Sequence, residues 1–585
     1  VTSFEPKPAR AGRFVQREAS TLPGTVLTSW LESSVRTAAA EAPRLSWRRG
    51  PDLVLLAAAL AAGLAVRLHL LHATDFPIND GALFVAFIEA IVPVFPRLPD
   101  TVAFSGLSIP FAYPPLSFWL AAGAVRLGAQ PVLLVHQLPI VMNAAYLLLF
   151  AALLLRTGHS RLFTAVASFV FGTTFLSYEW LVMGGGLSRG LGSVLLLLTL
   201  LVLLPAPAGQ EAAWRWRRPL AGGLCVGLAL LAHLEWGLLA AFSAVACCTM
   251  ARQGLGGTVR ALVLVAAPAA AVVAPWFWSV VEVHGLEPFI AAARTGSLQR
   301  LDAAPGGIGK VAWSFNLLLP FLAIGGLAVL RSRDAFWLAF LVAALVLTPR
   351  GGRTPAMLAL AVLSATGLLT VAGLARRWPA PGRQPGLAAG AAVVLAAVLA
   401  VRTVPALQPD RRFVVLPAEI RDAMAWVGTR HPGSHFAVLN DLPWYYNASA
   451  EWFPVLAQAV NTTTVQGREW LPDHDFRRAE LAVQALNTST SCEQVLRSLQ
   501  AFARADFIWA EAVDLQARTA SPPSDSTPAG SAATSRGGLH GPGTVAGCFE
   551  GGAYEEVHAN ARVRIFRVPR ALDADARAAQ AAARR

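Results

Sequence analysis

A helix needs roughly 20 apolar residues to cross a hydrocarbon core about 30 Å thick, and this chain meets that requirement repeatedly. Stretches near 52–71, 131–155, 162–182, 190–204, 219–234, 236–251, 259–282, 311–330, 335–348, 355–375 and 386–404 are apolar and almost free of charge. They predict about eleven spans, and with them a mainly α, polytopic membrane bundle. Composition agrees. Of 585 residues, 55% are hydrophobic and 14% charged, where a soluble domain carries about a quarter charged. The formal net charge of +13 does not point to nucleic acid, because arginines cluster between apolar stretches, where they set orientation.

Stretch 115–128 decides the topology. Counted as a full span, it puts Arg215, Arg217 and Arg218 outside. Counted as half-inserted, it gathers Arg44/Arg48/Arg49, Arg156/Arg161, Arg215/Arg217/Arg218, Arg252/Arg260, Arg331/Arg333 and Arg376/Arg377/Arg383 on one side. The positive-inside rule selects the second. The expectation is a multi-pass protein of the cytoplasmic membrane, with residues 1–50 as a cytoplasmic tail, not a signal peptide, and 51–404 as the membrane domain. Residues 405–570 form a small α/β domain outside, with 517–546 a Ser-, Pro- and Gly-rich disordered insertion. A basic tail, 571–585, follows. In the outer domain Phe413–Thr429 reads as a strand then a helix, Glu480–Ala503 as helical, and 435–440, 506–511 and 561–568 as strands. Cys492 and Cys548 lie there, where a disulfide can persist.

This topology places several polar features on one face. The loop 72–130 carries Asp75, Asp80, Glu89 and Asp100. Within it, the apolar residues Leu83, Phe84, Phe87, Ile88, Ile91 and Phe95 recur at helical spacing, the pattern of a helix lying on the membrane surface. Asp80 is either the cap of that helix or a base able to take a proton from an attacking hydroxyl. Asp75 is the second choice. Gly184–Gly190 frees backbone N–H groups to approach a phosphate, with Arg189 beside them. It equally fits a plain break between helices. His233 and Glu235 interrupt an apolar run, where ionisable groups are costly and often functional. A tight turn reaching water is the alternative. Arg294 and Arg353 lie in outer loops against the usual charge bias. In the tail, Trp452 and Trp470 sit among carboxylates, as sugar-stacking rings do, and also as core residues do.

The ordered phrases DFPINDGALF, IPFAYPPLSFW, GGGLSRG, EWFP and QGREWLP resemble a prokaryotic branch of the GT-C glycosyltransferases over most of residues 52–472. That superfamily includes protein O-mannosyltransferases, lipid A aminoarabinose transferases and mycobacterial arabinosyltransferases. The resemblance implies inverting transfer of a hexose or pentose from a polyprenyl-phosphate donor to a glycan, lipid or protein acceptor on the outer face. An acid of the first outer loop, best matched by Asp80, would be the base. Tyr113, Arg189, His233, Arg294, Arg353, Trp452 and Trp470 would then contact substrate, and Glu235 would orient the acceptor or assist a divalent metal (Mg or Mn). One departure is clear: many members have an adjacent acidic pair here, whereas Asn79 precedes Asp80 and Gly81 follows it. A lipid-linked-sugar flippase and a non-catalytic envelope assembly protein are the competing expectations.

Overall fold

A computed structural model describes residues 49–204, 216–251, 254–295, 319–330, 334–347, 353–377, 413–440, 442–472, 475–502, 504–511, 544–551 and 554–569. Among them, five helices are long and apolar enough to cross a membrane: Gly50–Ala73, Pro131–Arg156, Gly186–Leu203, Gly254–His284 and Arg353–Leu374. Arg161–Thr173, Leu234–Met250 and Ala335–Leu347 are apolar but shorter. The span expected at 386–404, both terminal tails and most of the insertion (517–543) fall outside the described residues.

The run expected to cross at 162–182 does not do so as one helix. It ends at Thr173, then forms a 3-10 turn over Phe175–Ser177 and a single turn over Glu179–Val182. The reason lies in the first helix. Arg67 is fully buried, donates to the Gly172 carbonyl, to Asn143 Oδ1 at 2.9 Å and to Ser177 Oγ at 3.4 Å, and lies over the Tyr178 ring. A helix end leaves carbonyls without partners, and this guanidinium collects one of them. The ambiguous stretch becomes Leu116–Arg126, a helix of 11 residues. At 1.5 Å per residue that is about 16 Å, half a bilayer.

In the loop, β1 (Thr101–Phe104) pairs antiparallel with β2 (Leu107–Pro110). The tail supplies β3 (His435–Leu439), β4 (Val460–Asn461), β5 (Phe507–Glu511), β6 (Glu555–Ala559) and β7 (Val563–Arg567), a five-stranded sheet in the order β4-β3-β5-β7-β6. β3 pairs in parallel with β4 and β5, while β5–β7 and β6–β7 are antiparallel. The helix expected over Glu480–Ala503 is two helices, Asp475–Asn487 and Cys492–Leu499. Ser491 caps the second by accepting the Gln494 N–H. Cys492 and Cys548 are disulfide-bonded.

One apolar core joins loop and tail. Phe84, Phe87, Ile88 and Phe118 share a cluster with Leu416, Met424, Phe453, Trp452 and Trp509. The helix expected on the membrane surface is therefore buried between loop and tail. Seven residues of Ala82–Ile91 are buried, because a helix apolar nearly all round has no solvent face to offer. Glu89 and Asp100 remain exposed.

Candidate active site

Asn79, Asp80 and Gly81 are gripped by the chain at Val414, the glycine segment and the helix Ala448–Leu456. Asn79 adopts a left-handed backbone (φ 56°). Its N–H donates to the Val414 carbonyl at 2.7 Å, its Oδ1 accepts the Val414 N–H at 2.6 Å, and its carbonyl accepts the Trp452 indole N–H at 3.2 Å. Asparagine tolerates this conformation, and its amide nitrogen also reaches Met183 Sδ, which a carboxylate could not do as a donor. The departure from an acidic pair thus has a local reason.

Asp80 is not a helix cap. The helix begins after Gly81 with no side-chain cap bond, and Asp80 Oδ1 instead accepts the Gly185 N–H at 2.7 Å. The glycine segment is used accordingly. Gly184 N–H donates to the Ile78 carbonyl, so with Gly185 it holds the acid loop, while Gly186 N–H closes a turn on the Met183 carbonyl. A Cβ on Gly184 would lie 1.8 Å from the Asp80 carbonyl, and one on Gly185 2.3 Å from Asp80 Oδ2. Only glycine permits this approach. Burial pushes the Asp80 carboxyl above its usual range, opposed by Arg189 and by the Gly185 N–H. Asp80 nevertheless keeps part of its surface open.

Sequence reasoning passed over Glu451. It sits on the helix Ala448–Leu456, is buried, and its Oε1 accepts the Gly81 N–H at 2.8 Å across 370 positions of chain. Gln466 Nε2 donates to its Oε2 at 3.0 Å. Burial first, then repulsion by Asp80 and Glu469, push its carboxyl up to about 8 against the N–H groups of Gly81 and Leu83. The available signal was an acid inside an otherwise apolar helical run, ASAEWFPVL.

Other expected residues divide. Tyr113 meets Ser188 (hydroxyl oxygens 3.1 Å apart) and packs against the rings of Trp470 and His233, so these join one strip with Asp80 through the helix Gly186–Leu203. Arg189 covers the Trp180 ring and donates to the Trp180 carbonyl. Glu235 lies in the first turn of Leu234–Met250. Trp452 is corrected: it is fully buried against Phe76, with no face open to a sugar. Asp75 is drawn away, bonded to Arg421 at 2.5 Å with its side chain 70% exposed. Arg294 is exposed beside Glu287, and Arg353 opens a helix. Among the described residues no group of three His, Cys, Asp or Glu side chains is placed to hold a metal ion.

No family model matches this chain, and no curated protein does. Solved structures do. The archaeal oligosaccharyltransferase AglB from Archaeoglobus fulgidus, in complex with an inhibitory peptide and a dolichol-phosphate, superposes with a TM-score of 0.50 at 12% identity, over 80% of this chain and 70% of that one. The chain has a GT-C fold. ArnT from Cupriavidus metallidurans bound to undecaprenyl phosphate is similar at a TM-score of 0.46 and 13% identity, over 89% of this chain and 98% of that one. The arabinofuranosyltransferase AftD from Mycobacteria gives 0.49 and 16%, over 88% and 40%. Within this GT-C fold, the acid loop, glycine segment and tail domain meet at Asp80.

Proposed function

We propose that this protein is a membrane glycosyltransferase that moves a sugar from a polyprenyl-phosphate donor to a hydroxyl of a glycan, lipid or protein acceptor on the outer face of the cytoplasmic membrane. The observation that carries the reading is Asp80: a carboxylate fixed by the Gly185 N–H, opposed by Arg189 and still partly open. The GT-C fold supports it, as does the dolichol-phosphate in the AglB complex.

In the mechanism Asp80 accepts the proton of the acceptor hydroxyl as its oxygen attacks the anomeric carbon. The bond from that carbon to the phosphate oxygen breaks, its electron pair leaving with polyprenyl phosphate. Attack opposite the leaving group inverts the anomeric centre. Phosphate leaves readily, so no strong general acid is needed. Arg189 stabilises the charge that grows on it. Tyr113, with Ser188, His233 and Trp470 packed around it, is assigned to substrate contact.

The test supplies purified full-length protein with a panel of undecaprenyl-phosphate-linked hexoses and pentoses and hydroxyl acceptors. Asp80→Asn is expected to lower the rate at least about 1,000-fold, at the upper end for loss of a positioned base, with undecaprenyl phosphate affinity unchanged. Wild-type rates in that variant refute the base assignment.

A further inference from the structure

The helix Ala82–Ile91 is buried, and a different part of the same loop carries the features of a membrane surface. Trp119 stacks on Phe95 with ring centroids 5.1 Å apart and donates its indole N–H to the Pro96 carbonyl at 2.9 Å. Arg126 donates to the Phe95 carbonyl at 3.2 Å and lies over the Phe95 ring. The segment 94–97 is thereby fastened to the helix Leu116–Arg126. Two helices long and apolar enough to cross a membrane set the depth of this unit. Pro131–Arg156 begins just past Leu127, and Gly254–His284 ends at His284, whose Nε2 lies 2.8 Å from the Asp100 carbonyl oxygen. Both ends of the unit therefore sit at one end of the bundle, where hydrocarbon gives way to headgroups.

One face of Leu116–Arg126 points inward. Ser117, Phe118, Ala121 and Ala122 are buried, and Phe118 packs on Phe84 and Phe87 of Ala82–Ile91. The other face is open: Leu120 is 50% exposed, Leu127 92% and Val94 41%. Large apolar side chains presented together need a cover, and at this depth the cover is lipid. Arg97 and Arg126 are exposed beside them, and neither 92–99 nor 116–130 contains an acid, Asp100 being the first to follow Arg97. Apolar tips, an aromatic pair at the boundary and two guanidiniums complement a lipid surface of net negative charge.

We propose that Val94–Arg97 and Leu116–Leu127 form a lipid-docking surface selective for anionic phospholipid. Arg97 and Arg126 pair with the headgroup phosphate, while Val94, Leu120 and Leu127 enter the acyl boundary. Phosphatidylcholine offers the same phosphate with a cation beside it, which the two guanidiniums repel. Because Phe118 joins this surface to Phe84 and Phe87, docking fixes the depth at which the acid loop is held. The inference does not depend on sugar transfer.

The test uses full-length protein in a Cys225→Ser background with a bimane fluorophore on Gln130→Cys, an exposed position whose side chain makes no cap bond. It is reconstituted in phosphatidylcholine vesicles doped with acyl-brominated phosphatidylglycerol or, in parallel, acyl-brominated phosphatidylcholine, and quenching gives the relative affinity of the two lipids at this spot. One arginine at an anionic surface contributes about fivefold in binding, so wild type is expected to prefer phosphatidylglycerol about 25-fold and Arg97→Gln about fivefold. Arg97→Gln with Arg126→Gln should show no preference. Should the double variant not fold, Arg97→Gln alone decides.

Equal quenching by the two lipids in wild type overturns the proposal. So does quenching by neither, the result expected if a second copy of this chain or another protein covers the surface. A preference that survives both substitutions is equally fatal. Undecaprenyl phosphate is the other source of a lipid phosphate. If an equal amount of it abolishes the excess quenching, the arginines belong to that lipid and the phospholipid assignment fails.

Discussion

At the scale of single residues, close approach matters more than charge. Gly185 is worth more to this site than the Asp75–Arg421 pair, because a methyl group there must displace Asp80 Oδ2, 2.3 Å away. Moving a reacting group by about 1 Å costs on the order of 100-fold in rate. Gly185→Ala is therefore expected to lose at least that much kcat. Gly50→Ala, which meets nothing within 4 Å, should transfer like wild type. The Asp75–Arg421 pair is the contrasting case. Arg421 holds the Asp75 carboxyl below its usual range, but Asp75 is largely exposed and solvent screens the attraction. Arg421→Ala should change stability by under about 1 kcal/mol, read as a thermal midpoint close to wild type.

Among elements, the short helix Ala448–Leu456 shapes the site most. Its Glu451 reaches Gly81, its Trp452 bonds Asn79 and packs on Phe76, and its Phe453 meets Trp509 and Phe436 across the tail core. Trp452→Ala should cost about 3–5 kcal/mol through cavity formation, visible as a lower midpoint. A sugar-stacking tryptophan would instead show weaker substrate binding at constant stability. Helices also explain why one expected span is broken. The apolar pattern of 162–182 continues past Thr173, but Arg67 from the neighbouring helix captures the Gly172 carbonyl, and the chain turns to bring Gly184–Gly186 to Asp80.

For the whole molecule, the site exists only when membrane domain and tail are docked. Ile78 bridges Val415 in antiparallel fashion, Ser105 Oγ donates to the Asn461 carbonyl, and Phe175 lies against Phe413. Docking buries Glu451, and that burial has a pH signature with a definite sign. A glutamate held at about 8 binds its proton in the folded protein at pH values where the unfolded chain, near 4.5, has released it. Between those values the folded state carries more protons, so stability falls as pH rises, by up to about 1.4 kcal/mol per pH unit, and levels off above 8. Raised Asp80 acts in the same direction. Thermal midpoints measured from pH 4.5 to 9 check this decline.

What the amino-acid order determined by itself was periodic. Runs of apolar residues fixed where most helices lie, the distribution of arginines marked 115–128 as half-inserted, and alternation in ARVRIFRV marked β7. These patterns are local, and hydrophobic burial acts on them wherever the chain goes. Asp80 was also legible, as an acid between an apolar span and a glycine. Its surroundings were not. The glycine segment read equally as a phosphate contact or a helix break until the fold put the Gly184 and Gly185 amides on the acid loop, and Trp452 read as a sugar platform or a core residue until the tail core closed over it. Glu451 carried little signal, since burial and the company of Asp80, not its neighbours in sequence, raise its carboxyl. Such properties depend on which groups meet across hundreds of residues, and only tertiary packing sets that distance and the dielectric between them.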